Sequence, residues 1–173
     1  MKNLYKNNLR AIIYKFLPIS LLFFSVLNEF DFNNLGLKYF SFNFSYILIF
    51  YFSLKSQERL GYISIFIAGL FNDVINGIPI GTSSLIYLFL CGAAAYLKNI
   101  TLTPSLIKDW FFFLGTVLLL NSISYIVLNF FFNFEINYLH EVINVFFTFL
   151  FYFIFSNIFN FLERILFGDI YVR

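Results

Sequence analysis

Six apolar stretches separated by short polar breaks divide the chain, at residues 11–26, 39–54, 60–76, 82–97, 110–132 and 142–162. Several sit close to the lower limit of about 17 residues for a membrane-spanning helix. The pattern predicts an all-α integral membrane protein, a bundle of about six transmembrane helices. Pro18 inside the first stretch predicts a kink there. The residues that follow it, Leu27-Asn28-Glu29-Phe30-Asp31, offer no small-x-small cleavage pattern, so the stretch reads as a retained helix. No repeat, Gly/Ser linker or low-complexity tail interrupts the rhythm, which predicts one polytopic domain over residues 1–173.

Composition supports lipid as the solvent. Hydrophobic residues make up 61% of the 173 and charged residues 12%, about half of what a soluble surface carries. Mean hydropathy is +0.83. The 29 Phe residues, with abundant Ile, Asn, Lys and Tyr, fit an AT-rich genome in which Phe stands in for Leu on lipid-facing surfaces.

The basic residues give the orientation. With the N-terminus inside, Lys2, Lys6, Arg10, Lys15, Lys55, Arg59, Lys98, Lys108, Arg164 and Arg173 all fall in cytoplasmic segments. Lys38 alone falls outside, where the loops carry Glu29, Asp31, Glu135, His140 and Glu141. This bias predicts six helices with both termini in the cytoplasm. A net charge of +2 with no basic patch gives no footprint for nucleic acid.

One carboxylate interrupts the third stretch. Gly69, Asp73 and Gly77 recur every four residues and share one side of a helix, with Asn72 and Asn76 on the adjacent stripe. Gly77, Pro79 and Gly81 then end the helix and reverse the chain. An ionisable group at such a depth costs about 3 kcal/mol on insertion scales and faces the bundle interior or a partner. Two readings stay open. Asp73 is a proton or substrate site, or it anchors the hairpin by accepting hydrogen bonds from backbone amides, with Thr82, Ser83 and Ser84 placed to cap the next helix.

Other polar or small positions point to packing. Cys91, Gly92, Ala93, Ala94 and Ala95 form a small-residue surface for another helix, within the bundle or on a second protein. In the sixth stretch Asn144, Thr148, Tyr152, Ser156 and Asn160 recur every four residues, as a cavity lining or a hydrogen-bonded seam. Asn121, Ser122 and Ser124 are candidate partners for that seam. His140 reads as a solvated loop residue. The single cysteine excludes an internal disulfide. No metal-ligand spacing, Gly-x-Ser-x-Gly, phosphate loop, dinucleotide fingerprint or acid–base carboxylate pair is present. The expectation is no enzyme activity, no cofactor and no metal.

Gly69-Leu70-Phe71-Asn72-Asp73, Gly77-Ile78-Pro79-Ile80-Gly81, Leu85-Ile86-Tyr87 and Ala95-Tyr96-Leu97 together resemble the rod shape-determining MreD family. Asn43-Phe44-x-x-Ile47-Leu48-x-x-Tyr51-Phe52 is similar to that family's second helix, with Phe44 and Phe52 in place of Trp and Phe42 where Pro is common. The resemblance implies a non-enzymatic scaffold of the bacterial cell-elongation machinery in the inner membrane. It implies an MreC-like protein and RodA with its partner transpeptidase as neighbours, and MreB as an indirect one. The family's bundle is also similar to the substrate-binding subunit of energy-coupling-factor transporters, so a small-molecule transporter or its binding subunit is the rival expectation.

Overall fold

The structure, a computed structural model, describes residues 2–27, 40–101, 105–133 and 138–167. Among these residues the regular structure is helical: α1 (Lys2–Leu27), α2 (Phe44–Leu60), α3 (Tyr62–Asn76), α4 (Thr82–Ile100), α5 (Leu106–Phe132) and α6 (Tyr138–Phe167). The all-α architecture agrees with the apolar pattern. Three segments, Thr82–Ile100, Leu106–Phe132 and Tyr138–Ile165, are long and apolar enough to cross a membrane. Phe16–Leu27, Phe44–Lys55 and Tyr62–Asn76 are shorter apolar helices. Large side chains such as Leu119, Ile126 and Phe130 project outward from α5. An apolar outer face of this kind matches hydrocarbon rather than water.

The centre of the bundle is α2. Every residue from Ile47 to Phe52 is buried, so this turn-and-a-half is covered on all sides. α1 and α4 each pack against both α2 and α3, α5 lies on α4, and α6 lies on α5 and α2. Trp110 of α5 stacks on Phe149 of α6 at 4.3 Å and donates its indole N–H to the Phe149 carbonyl at 2.7 Å. α1 runs through Pro18 as one helix.

Helix boundaries depart from the apolar stretches for local reasons. α2 begins at Phe44 rather than near residue 39, because Asn43 Oδ1 accepts the Tyr46 amide at 3.2 Å and fixes the start. At its other end α2 continues through the polar residues after Lys55 to Leu60. Gly61 alone then reverses the chain into α3, with φ of 66°, a conformation glycine adopts at no steric cost.

The approach to α2 and its first residue explain part of the phenylalanine content. Phe40, Phe42 and Phe44 lie against Phe147, Phe151 and Phe155, with ring centroids 4.7, 4.6 and 4.7 Å apart. Two residues of extended chain rise about 6.7 Å and four residues of helix about 6 Å, so the two series stay in register. These rings are an internal ladder. Phe130 and Phe131 are exposed, as Phe on an outer surface would be, whereas the expectation that Phe stands on lipid-facing surfaces fails for these packed rings.

Candidate functional site

The turn between α3 and α4 is built on Asp73. Gly77 closes α3 in the left-handed conformation, and the Ile78 amide donates to the Asp73 carbonyl at 3.0 Å. Pro79 accepts from the Thr82 hydroxyl at 2.8 Å, and Gly81, with φ of 100°, starts α4. The Asp73 side chain is buried and spans the turn. Its Oδ2 accepts the Gly81 amide at 2.7 Å and its Oδ1 accepts the Ser83 amide at 2.8 Å. These amides belong to the start of α4, where helical N–H groups lack intrahelical partners and a negative charge is favoured.

The cap of α4 therefore comes from α3, across the turn. The expectation that Thr82, Ser83 and Ser84 cap their own helix is not met, and no side-chain bond from the N-cap residue exists. Ser84 instead donates to the Phe66 carbonyl at 3.0 Å, and Ser83 Oγ accepts from Asn72 at 2.9 Å. Gly69 permits this closeness. A Cβ there would stand 2.6 Å from the Ser84 nitrogen and overlap its Cα. Asn76 lies on the outer turn of α3 and is exposed.

The small-residue run divides. Cys91 and Ala94 are buried inside the bundle, where Ser53 of α2 donates to Cys91 Sγ at 3.2 Å. Ala93 and Ala95 are half-buried, and Gly92 is exposed with open space around it. Successive helical residues point about 100° apart, so five in a row cannot form one face.

Next to the hairpin a polar cavity of about 280 Å³ opens between α2, α3, α4, α5 and α6, with Asn43, Asn72, Asn76, Asn121 and Asn144 in its wall. Tyr46, Tyr87, Tyr125 and Glu141 also line it, with Ile78, Ile86 and Leu128 as its apolar part. A neighbouring space of about 320 Å³ shares Asn43, Asn72, Asn76, Ile78, Glu141 and Asn144 and reaches Ser25, Ser41 and His140. Tyr125 donates to Glu141, and Tyr46 donates to Asn121 Oδ1 at 3.2 Å. His140 is half-buried with Nε2 3.3 Å from the Ser41 hydroxyl, so it belongs to this wall and is not a solvated loop residue.

The four-residue series of α6 joins this wall at one end. Asn144 donates to Ser41 at 3.0 Å, and Thr148 Oγ1 accepts the Asn43 amide at 2.8 Å. Farther along, Asn160 accepts from Tyr51 at 3.0 Å. The seam thus faces α2 and the residues before it. Of the α5 candidates, Ser122 bonds within its own helix, while Asn121 and Ser124 line the cavity. Among the described residues no group of His, Cys, Asp and Glu is placed to hold a metal ion. The loop residues Glu29, Asp31, Lys38 and Glu135 lie outside the described residues.

No protein-family model matches the chain, and no curated protein or solved structure matches it.

Proposed function

We propose that the chain is an MreD-like scaffold of the bacterial cell-elongation complex. In this reading it crosses the inner membrane six times with both termini in the cytoplasm. It docks an MreC-like protein and links it to RodA and its partner transpeptidase, with MreB reached indirectly. One observation carries the reading: Gly69, Asp73, Gly77, Pro79 and Gly81, the positions on which the resemblance rests, act together in one locked hairpin. Both carboxylate oxygens of Asp73 are committed to fixed backbone amides. That use is structural, and it suits a docking element better than a proton-coupling site, which needs a carboxylate free to change partners.

The one-sided distribution of basic residues supports the orientation. Gly92, exposed on α4, is the part of the small-residue run that remains open to a partner helix.

A mild-detergent pull-down from native membranes tests the assignment, with wild type and Asp73→Ala compared at matched expression. Co-purification of an MreC-like protein and the synthases, weakened in the variant, is expected. Recovery with an ATPase and a membrane-embedded coupling subunit would instead identify the substrate-binding subunit of a transporter, the reading that the polar cavity favours.

A further inference from the structure

We infer that the cavity beside the hairpin is a binding site for an uncharged, hydroxyl-rich molecule of about one or two sugar rings, held by asparagine carboxamides. The inference stands apart from the scaffold reading and does not depend on which proteins the chain meets.

The wall offers hydrogen-bonding capacity that the described residues leave unused. Asn76 makes no side-chain hydrogen bond among the described residues and faces the cavity. Asn43 and Asn121 use their carbonyl oxygens on Tyr46 and keep their NH₂ groups open. Asn72 uses its NH₂ on Ser83 and keeps its carbonyl oxygen open. Glu141 accepts from Tyr125 on one oxygen and keeps the other. Donors and acceptors are thus interleaved around one space. A hydroxyl group both donates and accepts, so a polyol can satisfy such a mixed set, whereas an ion of either sign leaves half of it opposed.

Charge narrows the class further. Among the described residues neither Lys nor Arg lines the cavity, and the nearby Asp73 charge is already met by the Gly81 and Ser83 amides. An anion would meet Glu141 with no Lys or Arg among the described lining residues to match it. Tyr46 and Tyr87, buried with their rings 5.9 Å apart and edge to face, stand in the wall beside the carboxamides, and Ile78, Ile86 and Leu128 add apolar lining. Aromatic faces carry negative charge density and attract the weakly positive C–H face of a sugar ring. A mostly concave space with a few convergent polar groups is the usual form of a small-molecule site.

Sugar hydroxyls could come from solution or from a lipid headgroup, and the experiment separates the two. The full chain is placed in phosphatidylcholine nanodiscs, which avoids sugar-headed detergents. Maltose is titrated by calorimetry and thermal unfolding, and a second set of discs contains glucosyl diacylglycerol. Saturable binding of either probe is expected, and the arm that responds identifies the source. Asn76→Leu and Asn121→Leu should each weaken it about tenfold, the loss of one or two hydrogen bonds. Asn76→Leu should do so without moving the unfolding midpoint of the empty protein, because its side chain is exposed and unbonded. No saturable response to either probe would overturn the inference. So would a response unchanged in both variants, or tighter binding of glucosamine or glucose 6-phosphate than of their neutral parent.

Discussion

Arg59 and Glu163, 104 residues apart, meet as an ion pair of 2.6 Å inside the bundle. Both side chains are less than a tenth exposed, and the Arg59 guanidinium lies over the Tyr14 ring, 3.4 Å from its centroid. In the sequence Arg59 counts as one more basic residue on the cytoplasmic side; in the fold it ties α2 to α6. Removing one partner leaves the other charge buried and alone. Glu163→Ala should therefore cost about 3–5 kcal/mol of stability, and Arg59→Met with Glu163→Leu together should recover most of it. Thermal unfolding of the purified variants measures both, and a single variant as stable as the double would contradict the pairing.

Asp73 should be graded by how many amides it can still serve. Asp73→Ala abandons two charge-assisted bonds at about 1.5–3 kcal/mol each. Asp73→Asn keeps one acceptor and should lose roughly half as much. Abundance in the membrane and unfolding temperature should fall in the order wild type, Asn, Ala. If Asp73→Asn abolished activity with abundance and complex formation intact, a coupling role would replace the anchoring one.

Two glycines should answer differently to the same methyl group. Gly69→Ala forces α3 away from the Ser84 backbone and should cost about 1–3 kcal/mol, as overpacking does. Gly115, in the middle of α5, has open space where a Cβ would go. Gly115→Ala should raise stability by about 0.5–1 kcal/mol through helix propensity. Equal effects at the two sites would argue against close packing at Gly69.

The proposed six-crossing arrangement would put Tyr138 outside and Ile100 inside, both exposed at helix ends. With Cys91 replaced by Ala, Tyr138→Cys should react with a membrane-impermeant maleimide in intact cells. Ile100→Cys should react only after the membrane is opened. Labelling of both in intact cells, or the reverse order, would require a different number of crossings.

Gly92→Leu separates docking from folding. It fills open space on α4, so stability should stay within about 0.5 kcal/mol of wild type. Partner recovery in the pull-down should nevertheless fall several-fold. Unchanged recovery would remove this face from the docking surface.

The legible parts of the molecule were those in which neighbours in sequence remain neighbours in space. The helices followed from apolar runs, and Asp73 stood out as a carboxylate in one of them, eight and ten residues from the amides it caps. The cavity was legible only in part: the series from Asn144 was open to a cavity reading with Asn121 and Ser124 opposite, but nothing in the sequence joined Asn43 and Asn72 to them, because these residues come from four different elements. Arg59 and Glu163 were hidden for the same reason. The run from Cys91 to Ala95 was visible as composition, but its direction was not: helical rotation sent Cys91 inward and Gly92 outward.

The joint at Gly61 sets an order of events during biosynthesis. α2 and α3 are separated by this single residue, yet they make little contact with each other, and α1 and α4 pack against both. The pair forms an open V with a wedge on either side. α1 is already made when the V emerges, but α4 is not. Until translation has passed Ile100 the second wedge is missing, and the amide donors at Gly81 and Ser83 reach Asp73 only as α4 takes form. A nascent chain halted before that point holds an uncapped carboxylate and an unfilled core.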